Sequence, residues 1–233
     1  MIDSPVAAVG DDAVADVGRA PMLREQAVVA FKRCLFEGGF RPGQFLSQRE
    51  LTLLLDLPIA PIRDAIKRLE SEGLVRVIPQ RGVAIAEASV QLVRESFELR
   101  KALEAWATRR YAQTGPLEPI DALALAMRRM QAEAENELTQ ELLGRAILLD
   151  RMLHDTIVGA LDNQLFTDVT RQTFDKIQLI RLVRPVTPDR LCVAFEEHAD
   201  ILEALLARDA ERSALAMIHH LDRAMRHAIG IEG

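Results

Sequence analysis

All five histidines, His154, His198, His219, His220 and His227, fall in the second half of the 233-residue chain. Asp150 and His154 are four residues apart, so on a helix both side chains share one face. His198 lies within Phe195-Glu196-Glu197-His198 and His220 within Met217-Ile218-His219-His220-Leu221. Two ligands on one helix, joined by one from each of two others, is a common way to build a metal site inside a helical bundle. One aspartate and three imidazoles suit zinc, or another first-row divalent ion such as nickel or manganese, and leave coordination positions for water or a ligand. Spacing alone leaves a second reading open, because a mid-helix histidine is commonly a hydrogen-bonded core or surface residue. His219 and His220 lie about 100° apart on a helix, so at most one faces inward. His227, near the chain end, is read as solvent-facing and Cys192 as packing.

A second group sits near the N-terminus. Arg63 and Lys67 are one helical turn apart, on a different face from Ile62, Ile66 and Leu69. A helix carrying them can enter a DNA major groove and reach bases or phosphates. Arg81 and Gly82 occupy a turn between two β-branched runs. Arg81 there can reach a minor groove, where narrow width concentrates negative potential, and Gly82 lets the backbone approach closely. The alternative is a set of solvated charges on a small α+β subdomain.

Both groups need elements to hold them. Residues 1–20 lack periodicity and read as a flexible arm. Pro21 opens a helix on which Leu23, Ala27, Phe31 and Leu35 recur until Gly38-Gly39. Ser47 with Glu50 three residues on forms a capping box for a second helix, broken at Asp56-Leu57-Pro58. A third helix spans 59–71 and is closed by Gly73. Leu74 to Ile78 and Val83 to Ala86 read as a β-hairpin. Six amphipathic helices follow, at about 90–113, 117–136, 139–161, 164–183, 188–208 and 210–229, with short connections. The expected fold is mainly α: a winged helix-turn-helix over 21–88, then an antiparallel six-helix bundle over 89–233.

Composition narrows the class. Apolar residues make up 49% and charged residues 27% of the chain, as in ordinary globular proteins. No run of apolar residues approaches the length of a membrane span, and the start, Met-Ile-Asp-Ser-Pro, does not look like a signal peptide. Cys34 and Cys192 have no metal or redox spacing and read as reduced thiols, so a cytoplasmic location is expected. The net charge of −6 is uneven: −3 over 1–20, +2 over 21–88 and −5 over 89–233. That split points to two domains.

The runs Arg41-Pro42-Gly43, Leu46-Ser47, Arg49-Glu50-Leu51, Pro61 to Glu70, Glu72 to Val75 and Pro79-Gln80-Arg81-Gly82 resemble the GntR family of bacterial transcription regulators. The resemblance implies DNA contacts at Arg49, Arg63, Arg81 and Gly82, to which the helical spacing adds Lys67. At the turn into the third helix the family's usual Gly-Val-Ser-Arg-Thr is replaced by Asp56-Leu57-Pro58-Ile59-Ala60. The missing capping hydroxyl costs about 1 kcal/mol, and the missing arginine removes a guanine contact worth about 1–3 kcal/mol of discrimination.

Glu98 to Glu104, Asp150 to His154, Glu197-His198 with Ile201, and Met217 to Leu221 are similar to the FadR C-terminal (FCD) effector domain, in its VanR-like six-helix branch. That resemblance implies metal ligands at Asp150, His154, His198 and His220. It also implies an effector-binding Arg100, whose competing reading is an intrahelical ion pair with Glu104. A divalent ion and an inward arginine would attract a small organic acid. The expected protein is therefore a homodimeric, ligand-responsive regulator of operator DNA, of the repressor type, with no membrane partner. Two alternatives stand beside it: a metal-dependent hydrolase or lyase using the Asp/His cluster, and a regulator whose pocket is metal-free.

Overall fold

A computed structural model describes residues 11–137 and 139–231, with side chains from Met22 onward except Asn136. The chain is mainly helical and divides into two compact units, ending at Glu87 and beginning at Ala88.

The first unit runs α1 (Asp11–Phe36), β1 (Phe45–Leu46), α2 (Gln48–Leu55), α3 (Ile59–Ser71), β2 (Val75–Ile78) and β3 (Gly82–Ile85). Ser47 caps α2 in a complete capping box with Glu50, and Asp56 ends it in the left-handed conformation. α3 starts at Pro58 without any side-chain cap. It forms because Ile62, Ala65, Ile66 and Leu69 are buried, in part against α1 through Ala27, Val28, Phe31 and Leu35. Each fully buried large apolar side chain contributes about 1.5–3 kcal/mol, which exceeds the cost of one missing cap. Buried Glu72 ties the ends together, bonding Lys32 at 2.5 Å and Arg68 at 2.9 Å.

Two features depart from the sequence reading. α1 begins at Asp11, not at Pro21, so residues 11–20 are helical where a flexible arm was expected; residues 1–10 lie outside the described residues. Ala13, Ala15 and Ala20 have high intrinsic helix propensity, a signal that apolar spacing does not register. The wing is a three-stranded sheet of order β1-β3-β2, not a lone hairpin, because Phe45–Leu46 pairs antiparallel with Val83–Ala84. Gly82, at φ +114°, explains that pairing: a Cβ there would collide with the Leu46 carbonyl.

The second unit holds α4 (Val90–Thr114), α5 (Glu118–Asn136), α6 (Gln140–Gly159), α7 (Gln164–Arg181), α8 (Pro188–Leu206) and α9 (Ala210–Ile229). Ser89, Thr139, Asn163, Thr187 and Asp209 each accept a hydrogen bond from a backbone N–H in the first turn of α4, α6, α7, α8 and α9. The expected break near residue 138 falls outside the described residues. α4 packs most extensively along α9, and α9 along α8. Arg208, in the left-handed conformation, donates to the carbonyls of Ala112 (3.3 Å) and Gly115 (2.6 Å), closing the end of α4. The core is apolar from Val93 to Leu221, but its centre is interrupted by Arg100, Glu104, His154, Glu197, His198 and His220, all buried.

Candidate functional site

In the first unit, α3 buries its apolar face and leaves Arg63 and Lys67 exposed one turn apart. Arg63 Nε donates to Gln48 Oε1 on α2 at 3.0 Å, which fixes the guanidinium beside the helix pair. Lys67 contacts Asp64 at 3.4 Å with its side chain 78% exposed, so that pair restrains it weakly. Arg49 is exposed on α2, and Arg81 is exposed at the tip between β2 and β3, after Gln80 at φ +62°. Gly82 is half-buried against β1; its lack of a side chain already serves the sheet.

In the second unit, α6 supplies Asp150 and His154, α8 supplies His198 and α9 supplies His220. One ligand atom from each of the four lies within 4.8 Å of all the others. Asp150 Oδ1 is the common neighbour: His198 Nε2 stands 3.2 Å from it, His154 Nε2 3.5 Å and His220 Nε2 3.9 Å. His227 is not part of this cluster; it lies near the Pro185 carbonyl, with Nε2 at 3.1 Å. His219 is exposed, one residue from buried His220, so helical phase selects between the adjacent pair.

The imidazoles are aimed by groups that spacing alone did not assign to the site. His220 Nδ1 donates to Glu197 Oε2 at 2.8 Å, and Arg190 (2.8 Å) and Arg223 (3.1 Å) hold that carboxylate. His154 Nδ1 lies 2.5 Å from Glu104 Oε2, and Arg100 grips Glu104 through two hydrogen bonds of 2.6 and 3.2 Å. Asp150 Oδ2 accepts from Arg181 on α7 at 2.9 Å. Carboxylate–histidine pairs of this kind fix the tautomer and present the other ring nitrogen, with its lone pair, to a metal. Arg100 makes the intrahelical pair with Glu104 that was the competing reading, and it is buried among the residues lining the cavity. Its guanidinium also stacks 5.0 Å from the Phe174 ring centroid.

Protonation follows from the same neighbours. Burial and nearby His198 push His220 down to about 3, so its ring is neutral at pH 7. Burial opposes ionisation of Glu104, but Arg100 and then His154 outweigh it and hold the carboxyl at about 2. Asp150 behaves alike: burial resists its charge, and Arg181 with the two nearby histidines hold it well below the usual carboxylate range. For His154, burial disfavours the cation, and the Glu104 charge reverses that and raises its pKa. A metal ion competes with a proton at such a ring.

The donor set fits a divalent ion. His154 Nε2 and His198 Nε2 are buried and lie 3.5 and 3.2 Å from Asp150 Oδ1 without the alignment of a good hydrogen bond. Poorly paired buried polar atoms are costly, so their convergence on one oxygen needs a reason, and a coordinated cation supplies one. The cluster borders a cavity lined by Phe97, Arg100, Ile177, Arg181, Arg190 and Phe195, among others. Glu104 and Glu197 stood in the sequence as an Arg-x-x-x-Glu pair and as the neighbour of His198; no local signal marked Arg181 or Arg190.

Two families match the chain. Residues 23–85 match the bacterial regulatory proteins of the gntR family, and residues 95–223 match the FCD domain. The HTH-type transcriptional repressor GlaR of Escherichia coli K12 is 28% identical over 195 residues, spanning 82% of this chain and 88% of the relative. The repressor RspR of the same strain is 26% identical over 183 residues, 77% of each. The solved structure of E. coli McbR/YncC shares the fold, with a TM-score of 0.73 at 20% identity, over 89% of this chain and 97% of that one. These matches are to regulators and not to enzymes. The chain belongs to the GntR family of bacterial transcription regulators, and its second unit is an FCD domain.

Proposed function

We propose that this regulator is a homodimeric repressor: its first unit reads an operator half-site, and its FCD unit holds a divalent ion and senses a small carboxylate. The observation that carries the sensing half is the buried Asp150, His154, His198 and His220 cluster bordering a cavity with Arg100. Three nitrogens and one oxygen favour zinc, with nickel or manganese as further candidates. When bound, the ion supplies positive charge for a carboxylate oxygen. Arg100 supplies a second positive group, and the apolar walls exclude water and strengthen both attractions.

Arg63, Lys67, Arg49 and Arg81 are the residues assigned to DNA, with Gly82 shaping the wing. The relatives named as repressors support that mode of action. Dimerisation is supported by exposed apolar side chains on adjacent helices: Leu99 and Trp106 on α4, Leu165 and Val169 on α7, with Trp106 against Phe166. Ligand changes operator affinity only by its preference for one protein state, typically 1–3 kcal/mol. The hydrolase reading finds no support: Glu104 and Glu197 are committed to arginines and imidazoles, which leaves neither as a general base.

The test uses purified full-length protein. Elemental analysis is expected to show about one divalent ion per chain, reduced to a trace by His198→Ala. A gel-shift series on genomic fragments flanking the gene is expected to find salt-sensitive, sequence-selective binding. Unchanged metal content in His198→Ala would sink the metal assignment, and absence of selective DNA binding would sink the regulator mechanism.

A further inference from the structure

Arg181 and Arg190 both line the cavity beside the Asp/His cluster, and each spends only part of its guanidinium on a carboxylate. Arg181 Nη2 bonds Asp150 and Arg190 Nη2 bonds Glu197, yet Nη1 of each is buried with no hydrogen-bond partner among the described residues. The Arg190 side chain is only 10% exposed, so solvent does little to compensate. Two unpaired cationic donors on residues that border one cavity are an anion site in waiting, because a guanidinium offers its donors as a planar fork that matches a carboxylate.

We infer that the effector carries two carboxylates, one facing the ion at Asp150, His154, His198 and His220, the other taken by Nη1 of Arg181 and Arg190. This rests on the carboxylate-sensing reading above. Charge balance points the same way. Arg100, Arg181, Arg184 and Arg190 line the cavity with Asp150, while Glu104 and Glu197 stand behind Arg100 and Arg190. With neutral imidazoles, and with Arg223 that also holds Glu197, that set carries two net positive charges, and a divalent ion raises it to four. A monocarboxylate leaves three of those charges uncompensated and a dianion leaves two. The enclosed part of the cavity is small, about 70 Å³, which favours a short-chain acid over a bulky one. Ile177, Ile180, Leu191 and Phe195 provide an apolar middle for the carbon chain between the two charged ends.

The test compares matched acids on zinc-loaded full-length protein by calorimetric titration: succinate against butyrate, glutarate against valerate, and adipate against hexanoate. The expected result is that at least one dicarboxylate binds ten or more times tighter than its monocarboxylate match. Arg190→Gln is expected to cut that advantage below threefold; any loosening of the metal site through Glu197 weakens both acids of a matched pair alike, so their ratio reads the contact to the second carboxylate. Wild-type affinities within threefold for every matched pair would overturn the inference and leave carboxylate sensing intact. So would an Arg190→Gln protein that kept the full advantage. Failure of every acid to bind would overturn both readings together. Should Arg190→Gln not fold, the wild-type comparison decides alone.

Discussion

Glu104→Gln separates orientation of the cluster from stability of the bundle. Glu104 is 1% exposed, accepts two hydrogen bonds from Arg100 and lies 2.5 Å from His154 Nδ1. Glutamine keeps the volume and removes the charge. Arg100, itself 3% exposed, then has no counter-charge, and breaking such a buried pair costs about 3–5 kcal/mol. The imidazole of His154 loses its anionic partner as well, which typically weakens a metal site by about 10- to 100-fold. The two effects come apart in the double variant Arg100→Met with Glu104→Gln. Removing both charges is expected to restore most of the stability, since an apolar replacement of a buried pair is often near neutral. Zinc affinity, by contrast, is expected to stay low, because the carboxylate behind His154 is still missing. Urea unfolding of zinc-free protein reads the first quantity and competition with a chromophoric chelator reads the second. A Glu104→Gln protein that bound zinc within threefold of wild type would refute the claim that this carboxylate aims the ring.

Four further predictions concern the first unit. Ser47→Ala should destabilise it by about 1 kcal/mol in urea unfolding, because the Glu50 N–H loses its cap. Hydrogen bonds from the Ser47 backbone and then its side chain lower the Glu50 pKa, so its stabilising effect is full above about pH 4.5 and lost as pH falls through the lowered folded value; the Tm gap between wild type and Glu50→Ala should close over that window. Gly82→Ala should destabilise the wing by more than about 1 kcal/mol, while Arg81→Ala should leave Tm unchanged and weaken DNA binding, a split readable by thermal melts beside gel shifts. Arg63→Ala should cost about 1–3 kcal/mol of operator affinity if it reads a base, with relaxed selectivity, or lower the salt slope by about 1 if it touches phosphate; no change in either would remove it from the interface.

The helices were legible because their signals are local. The Ser47–Glu50 box, the stop at Asp56-Leu57-Pro58 and the helix over 59–71 reappear at the same residues. Helices α4 to α9 fall within a few residues of their expected bounds, since capping side chains and prolines mark most of the breaks. β1 was hidden because two residues have no alternation to detect, and the early start of α1 because weak periodicity resembles an unstructured arm. For the cluster, helical spacing puts Asp150 and His154 on one face. It cannot say how α8 and α9 rotate against α6, and that rotation brings His198 and His220 to the same oxygen. Arg181 reaches Asp150 across 31 positions of sequence, a relation only packing creates.

The helices around the Asp/His cluster divide their labour unevenly. The clustered residues and the charged residues bracing them come from α4, α6, α7, α8 and α9, while α5 offers the cavity only apolar contact through Met127. A change on any of those five elements disturbs a chain of charges in which each member steadies the next. A change on α5 alters the contour of the chamber and leaves its electrostatics alone. Methionine, unbranched and pliable, is well suited to such a wall. Descendants of this sequence could therefore reshape the chamber by drifting along one helix, with the charged groups around it inherited intact.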